Sequence, residues 1–286
     1  MRREQGGGLL ESTLAHLVLL AAVAFALYPI LWVVSQAFSG VATPEARIVP
    51  VPDEPSLKQM SELVLGQRGA DGIPLFVKQF ANSLVVALAT AVVGVAIAIP
   101  TAYALARFEF LGKGAGVRAL LATQMFPAVA SLVPLYIILD ALGLLDTRTG
   151  LILCYASTSV PFSIFQLRAA FEAIPTDLEE AAMVDGATRA QAFVKVVLPA
   201  ARPAIAVTSL FAFMSAYNEF ILAATLISKE EMFTLPVVLQ RYMGEYDQNV
   251  AAFAAGAVLV SAPVMALFYV LQKHLVAGLT AGAVKG

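Results

Sequence analysis

The 286-residue chain is 59% hydrophobic and 13% charged, with a mean hydropathy of +0.81. A soluble domain carries about 25% charged residues, and no soluble core could bury this much apolar surface. The formal net charge of −2 argues against nucleic acid, and the single Cys154, inside an apolar run, excludes a disulfide framework or a cysteine metal site.

A bilayer crossing takes about 20 predominantly apolar residues. The first such run, 14–38, follows Arg2 and Arg3. It is too long for a signal-peptide core and lacks a small-x-small cleavage site, so it is expected to stay as a span. Residues 39–79 contain Pro44, Pro50, Pro52, Pro55 and Pro74 and read as an irregular extracytoplasmic loop. Three runs follow at 80–106, 117–142 and 150–171, with Pro100, Pro127, Pro134 and Pro161 expected to bend helices. The turn Gly112-Lys113-Gly114-Ala115-Gly116 is the nearest approach to a phosphate-binding loop and lacks its spacing.

A polar island separates the fourth and fifth runs. Pro175 ends the preceding segment, and Thr176-Asp177-Leu178-Glu179 matches a capping box opening a short helix over about 177–187. Gly186 suits its C-terminal end, because only glycine enters the left-handed conformation without steric cost. Thr188-Arg189-Ala190-Gln191 is a second capping box, after which Ala190, Phe193, Val194 and Val197 recur at helical spacing until Pro199 and Pro203. The island therefore reads as a helix-turn-helix outside the membrane core. Ala181 and Ala182, beside Glu180, give its first helix a small-residue face that can seat closely in a cleft.

The fifth run, 203–227, contains Asn218-Glu219. An acidic residue near a helix centre costs about 2.5–3.5 kcal/mol on insertion scales. Glu219 is thus expected either to line a pathway or gate, or to make an interhelical or inter-subunit hydrogen bond. Gln124 is a further pathway candidate; Asn82, Tyr155, Ser157 and Gln166 are weaker ones, because polar groups in spans bond mainly to their own or a neighbouring helix. The connection 228–249 contains Arg241-Tyr242-Met243-Gly244-Glu245-Tyr246-Asp247-Gln248, the sixth run covers 250–276, and a small, glycine-rich tail follows, expected on its own to fray.

Basic residues orient this arrangement. Arg2, Arg3, Arg107, Lys113, Arg118, Arg168, Arg189, Lys195, Arg202, Lys273 and Lys285 collect on one side of a six-span layout, against Arg148, Lys229 and Arg241 in the opposite short connections. Both termini and the island are expected in the cytoplasm. His16 and His274 have no ligand-spaced partners and no nucleophile motif is present, so no enzyme and no metal site is expected, and Cys154 reads as a packing residue.

The register Glu180-Ala181-Ala182, three residues, Gly186, nine residues, Val196, one residue, Leu198-Pro199 resembles the cytoplasmic loop of permease subunits of ATP-binding-cassette (ABC) importers, with Val196 where that family commonly has Ile. The resemblance implies an all-α polytopic membrane protein with six transmembrane helices, a type I ABC importer transmembrane domain (MetI-like). It places the coupling helix in a groove of a separate ATPase, with Glu180, Ala181, Ala182, Asp185, Gly186, Leu198 and Pro199 as the coupling residues. The tail from Gly278 to Gly286 and the stretch Gln124-Met125-Phe126-Pro127-Ala128-Val129 are similar to maltose-type, MalG-like permeases of carbohydrate importers. That likeness implies contact of Thr280, Ala281, Gly282 and Lys285 with the ATPase. It also implies a loop of Gly244, Glu245, Tyr246, Asp247 and Gln248 that enters the external binding protein and helps displace the sugar.

The implied partners are a MalF-like second permease, a MalK-like ATPase homodimer, an extracytoplasmic sugar-binding protein and membrane lipid. ATP and Mg would be bound by the ATPase and no cofactor by this chain. The implied division is 1–79 as first span and external loop, 80–276 as core permease domain, and 277–286 as cytoplasmic tail in a bacterial inner membrane. The implied cargo is maltose, maltodextrin or a related disaccharide. Another ABC cargo such as glycerol 3-phosphate is the alternative, and a self-contained ion-coupled carrier using Glu219 a more distant one.

Overall fold

In the computed structural model, which describes residues 9–44, 48–52, 54–244 and 248–283, every regular element is helical among those residues. Four helices are long and apolar enough to cross a membrane: α1 (Leu9–Ala37), α3 (Leu75–Arg107), α6 (Arg148–Ala173) and α13 (Val250–Ala283). The short α2 (Lys58–Leu65) lies between α1 and α3. Two further crossings are possible only as broken helices. One comprises α4 (Lys113–Met125) and α5 (Leu132–Ala141), with a bend of 96° between them. The other has a 73° bend where α8 (Arg189–Ala192), a π-helical turn (Phe193–Val197) and α9 (Leu198–Ala200) meet α10 (Arg202–Tyr217).

The breaks have local causes. Phe126 adopts φ −76°, ψ 127° before Pro127, the extended conformation that the proline ring imposes on the residue preceding it. The expected third span is therefore two helices, whereas Pro100 and Pro161 lie inside the unbroken α3 and α6. The expected fifth span stops at Tyr217 and resumes as α11 (Ile221–Leu226). Asn218 sits at φ −92°, ψ 0°, and Glu219 supplies with its side chain what a continuous helix would supply with carbonyls: Oε1 and Oε2 accept from the amides of Leu222 and Ala223 at 3.0 and 3.2 Å.

The chain divides into two units, Met1–Arg68 with Leu239–Ser261 and Gly69–Val238 with Ala262–Gly286. Within the first, the loop expected to be irregular contains α2 and an antiparallel bridge between Ser39 and Pro55, closed by Gly40 N–H to Glu54 O (2.7 Å) and Ser56 N–H to Phe38 O (2.8 Å). The start of α13 is capped by Asn249, whose Oδ1 accepts from Ala252 N–H at 2.8 Å while its amide donates to Gln59 Oε1 at 3.0 Å. Gly256 on α13 lies where a Cβ would collide with Leu239 and touch Leu63. It is glycine because neighbours approach its backbone closely. Along α1 no residue of its most apolar window is buried, as suits a helix solvated by lipid.

The second unit is built on α3, α6 and α10. Ala87, Ala91, Gly94, Ala98 and Ala102 form a small-residue ridge along the buried face of α3. A Cβ at Gly94 would stand 3.2 Å from Ser159 Oγ on α6. Small residues at such an interface let backbones approach and replace the missing hydrophobic drive with close packing. Cys154, 3% exposed, packs in this core as expected. Helix α3 begins at Leu75, earlier than the apolar run suggested, because Pro74 at its N-cap fixes the entry.

Candidate functional site

The polar island folds as two short helices with α7 (Asp177–Val184) first. Gly186 has φ +89°. Its amide donates to Met183 O (3.1 Å), and that of Ala187 reaches back to Ala182 O (3.0 Å). These two bonds form the motif by which a left-handed glycine closes a helix and satisfies its last carbonyls. The second capping box is present: Gln191 N–H donates to Thr188 Oγ1 at 3.3 Å, and Thr188 N–H to Gln191 Oε1 at 2.8 Å.

The first capping box is not formed. Thr176 has helical φ and ψ and makes no side-chain cap, and the Glu179 carboxylate is taken by stronger partners from α3. Arg107 Nε donates to its Oε1 at 2.5 Å and the Tyr103 hydroxyl to its Oε2 at 2.7 Å. Arg107 and Glu179 side chains are 8% and 9% exposed, and removing one partner of such a buried pair costs about 3–5 kcal/mol. The second arm of Arg107 donates to Ile174 O at the end of α6, 2.7 Å away. Tyr103 lies 4.2 Å from Phe193 with the rings tilted by 36° and meets Phe108 and Phe171 edge-on, while the Arg189 guanidinium lies over Phe108 at 5.2 Å.

The expected coupling residues split by direction. Glu180, Ala181, Asp185 and Gly186 are exposed, as are Leu178 and Val184, whereas Ala182, Leu198 and Pro199 are half-buried. The aliphatic face expected from Ala190 to Val197 is displaced: Ala190 and Val194 are exposed, and Ala192 and Val197 are fully buried. The π-helical turn Phe193–Val197 is the reason, since widening one turn rotates the face that follows.

At the other end of α3 a polar cluster holds the connection after α11. Asn82, fully buried, donates to Glu231 O (2.8 Å) and Phe233 O (3.2 Å) and accepts from Arg148 Nε (2.8 Å). Gln79 donates to Glu230 O at 3.0 Å, and Ser83 Oγ accepts from Leu235 N–H, the first residue of α12 (Leu235–Arg241), at 2.7 Å. Lys78 pairs with Asp71 at 2.7 Å and Glu231 at 3.1 Å. The hydrogen bond to Lys78 holds the Asp71 carboxyl below its ordinary range. Asp146, at φ +56°, accepts from the amides of Ser228 (2.5 Å) and Lys229 (3.1 Å) through Oδ1. Asn82 is thus a structural anchor rather than a pathway group. Lys78, Gln79 and Ser83 are absent from the sequence reading, in which Asn82 figures only as a weaker pathway candidate; their polar side chains at i, i+1, i+4 and i+5, where the apolar run begins, mark one helix face.

After α12 the chain doubles back. Met243 bridges Gln248, and Asn249 N–H donates to Tyr242 O at 2.9 Å. Burial raises the Tyr242 hydroxyl above its usual pKa. Glu245, Tyr246 and Asp247 lie outside the described residues, as does Lys285 of the tail. Backbone positions 280–282 (Thr280, Ala281, Gly282) continue α13, which runs to Ala283 instead of fraying at the glycines. Of the pathway candidates, Asn218 and Gln124 are exposed, with Gln124 Nε2 at 3.5 Å from Thr158 O, and Glu219 caps α11. Tyr155 is 2% exposed. Among the described residues no group of His, Cys, Asp and Glu could hold a metal.

The chain is thus a multi-pass helical membrane protein with an exposed helix-turn-helix clasped to the end of a core span. Residues 72–281 match the family described as binding-protein-dependent transport system inner membrane component, and the chain belongs to that family. It is 36% identical over 267 residues to the trehalose transport system permease protein SugB of Mycobacterium tuberculosis (strain CDC 1551 / Oshkosh), covering 92% of this chain and 94% of that one. It is 38% identical over 286 residues to the maltose/maltodextrin permease MalG of Vibrio parahaemolyticus, with 95% of each covered. A crystal structure of a bacterial ABC transporter involved in import of the acidic polysaccharide alginate superposes with a TM-score of 0.77 at 26% identity, over 96% of this chain and 100% of its own.

Proposed function

We propose that this chain is half of the transmembrane pathway of a bacterial importer for maltose, maltodextrin, trehalose or a related saccharide, with both termini in the cytoplasm. The reading is supported by relatives that carry trehalose and maltose/maltodextrin in their names and by the outward-facing motif residues of α7. The observation that carries it is the exposed face of Glu180, Ala181, Val184 and Asp185, locked by Gly186, on a membrane protein. Aliphatic side chains on a cytoplasmic helix have no lipid to enter and fit a protein groove. A MalK-like ATPase homodimer supplies that groove and binds ATP and Mg, and a MalF-like permease completes the pathway. The ATPase draws α7 as it closes on ATP, and the spans rock between inward- and outward-facing states. Work comes from the difference in the ATPase's affinity for the two.

Affinity purification of the tagged chain from native membranes, with mass spectrometry of what accompanies it, tests the reading. A P-loop ATPase and a second permease are expected. Recovery of the chain alone in gentle detergent, with ion-driven uptake by the chain alone, would replace it with a self-contained carrier.

The segment 244–248 is the contact for an extracytoplasmic sugar-binding protein. Deleting these residues is expected to lower uptake of radiolabelled maltose or trehalose at least about tenfold, a loss of about 1.4 kcal/mol of coupling, with ATPase co-purification retained. Unchanged uptake of the sugar that the wild type carries would remove the loop from the mechanism.

A further inference from the structure

We propose that the Arg107–Glu179–Tyr103 cluster is the joint that carries movement of α7 into the core span α3, making Arg107 and Glu179 positioning residues of the transport cycle; this rests on α7 being the helix that the ATPase holds. Helix α7 has two unlike faces. Its motif residues point outward, whereas Glu179 is the one acidic or basic residue among the described residues that is buried as a whole, at 7% exposure. Among the described residues, it is also the side chain of α7 with a hydrogen bond to a span.

Burying a charged pair is a poor route to stability, since well-packed apolar residues serve as well; its recognised use is to select one geometry among several. Here that geometry is tightly specified. The carboxylate is gripped at both oxygens, by Arg107 Nε and by the Tyr103 hydroxyl, which stand one helical turn apart on α3. The other arm of the guanidinium fixes Ile174 O at the end of α6. One planar side chain therefore ties α7, α3 and α6 together, with a directional fork that lysine lacks. The second half of the island is attached independently, through Phe193 on Tyr103 and Arg189 over Phe108. Helix α3 is in turn packed along α6 and α10 by its small-residue ridge. A pull on the outer face of α7 thus reaches α3 as a rigid displacement, and loss of the carboxylate lets α7 move without it.

The test uses the full complex purified through this chain, in a Cys154→Ser background because Cys154 is the sole cysteine. Spin labels are placed at Asp177 on α7 and at Ile97, an exposed position on α3, and their separation is measured by pulsed EPR with and without ATP and vanadate. In the otherwise native chain the distance distribution is expected to be the same in both states. In Glu179→Gln it is expected to become ATP-dependent, uptake of radiolabelled maltose or trehalose to fall at least about tenfold, or about 1.4 kcal/mol, and ATP hydrolysis to persist. The exchange Arg107→Glu with Glu179→Arg is expected to restore the ATP-independent distance. A role confined to local folding would broaden the distribution equally in both states. That result, an ATP-dependent distance in the native chain, or an unchanged one in Glu179→Gln would overturn the proposal. Should Glu179→Gln not assemble, Tyr103→Phe, which keeps the ion pair and removes one grip, is expected to show the same ATP dependence with smaller amplitude; its absence overturns the proposal too. Failure of any ATPase to accompany the wild-type chain is a separate result and would remove the reading of α7 itself.

Discussion

Gly186→Val is expected to abolish uptake while leaving membrane insertion intact. At φ +89° the residue occupies the left-handed region, which costs an ordinary L-residue about 1–2 kcal/mol and a β-branched one more, because its branched side chain crowds the backbone there. Space is not the obstacle, since nothing lies within 4 Å of an added Cβ. The penalty is conformational, and it falls on the two bonds from the amides of Gly186 and Ala187 that close α7. A valine escapes the strain by unwinding that turn and displacing Val184 and Asp185 from the face offered to the ATPase. ATPase co-purification should fall about tenfold for each 1.4 kcal/mol so lost. Gly186→Asn serves as the control, because asparagine enters the left-handed region readily and should retain most uptake. Normal uptake in the valine variant, or equal loss in both, would count against a role for this turn in docking.

That this turn was legible in the sequence, and the clasp beside it was not, follows from the range of the interactions. Gly186 and the Thr188–Gln191 box act over three to five residues, so residue type and spacing encode them directly. Glu179 occupies a capping position by its local sequence, yet Arg107 and Tyr103, 72 and 76 residues away, compete for its carboxylate and win. A neutral backbone amide is a weaker partner than a guanidinium in a dry site. The same rule explains the spans. Hydropathy located the apolar runs but could not register that Pro127 forces Phe126 out of the helix, nor that Glu219 would turn its charge to capping α11. Local sequence puts Glu219 near a helix centre, whereas it stands in the break between α10 and α11 and accepts from the amides of Leu222 and Ala223 in α11. Two i, i+4 pairs stand at the two ends of α3, Tyr103 with Arg107 and Lys78 with Asn82, and each holds a segment distant in sequence, α7 through Glu179 and the connection at Glu231. A polar pair at helical spacing near a span's end is thus a signal for an anchor.

Asn82→Leu is expected to release the connection between α11 and α12. The asparagine donates both amide protons, to the carbonyls of Glu231 and Phe233, and its oxygen accepts from Arg148. Leucine has similar bulk but removes all three bonds, and each buried polar group so deprived costs about 1–3 kcal/mol. The loss is concentrated on 230–233, where Gln79 still donates to Glu230 O and Lys78 to Glu231. Limited proteolysis of the detergent-solubilised complex should reveal new cleavage near Lys229, with uptake falling because this segment leads into α12 and the segment 244–248 beyond it. Asn82→Asp separates the two sets of bonds. It preserves an acceptor for Arg148 and even strengthens that pair, but points a carboxylate at two carbonyl oxygens. If the carbonyls are what the anchor holds, Asn82→Asp fails as badly as Asn82→Leu, and Arg148→Ala, at an exposed position, has the mildest effect. Wild-type protease resistance in Asn82→Asp would instead assign the anchoring to the Arg148 contact, and would leave the two carbonyl bonds as a consequence of packing rather than its cause.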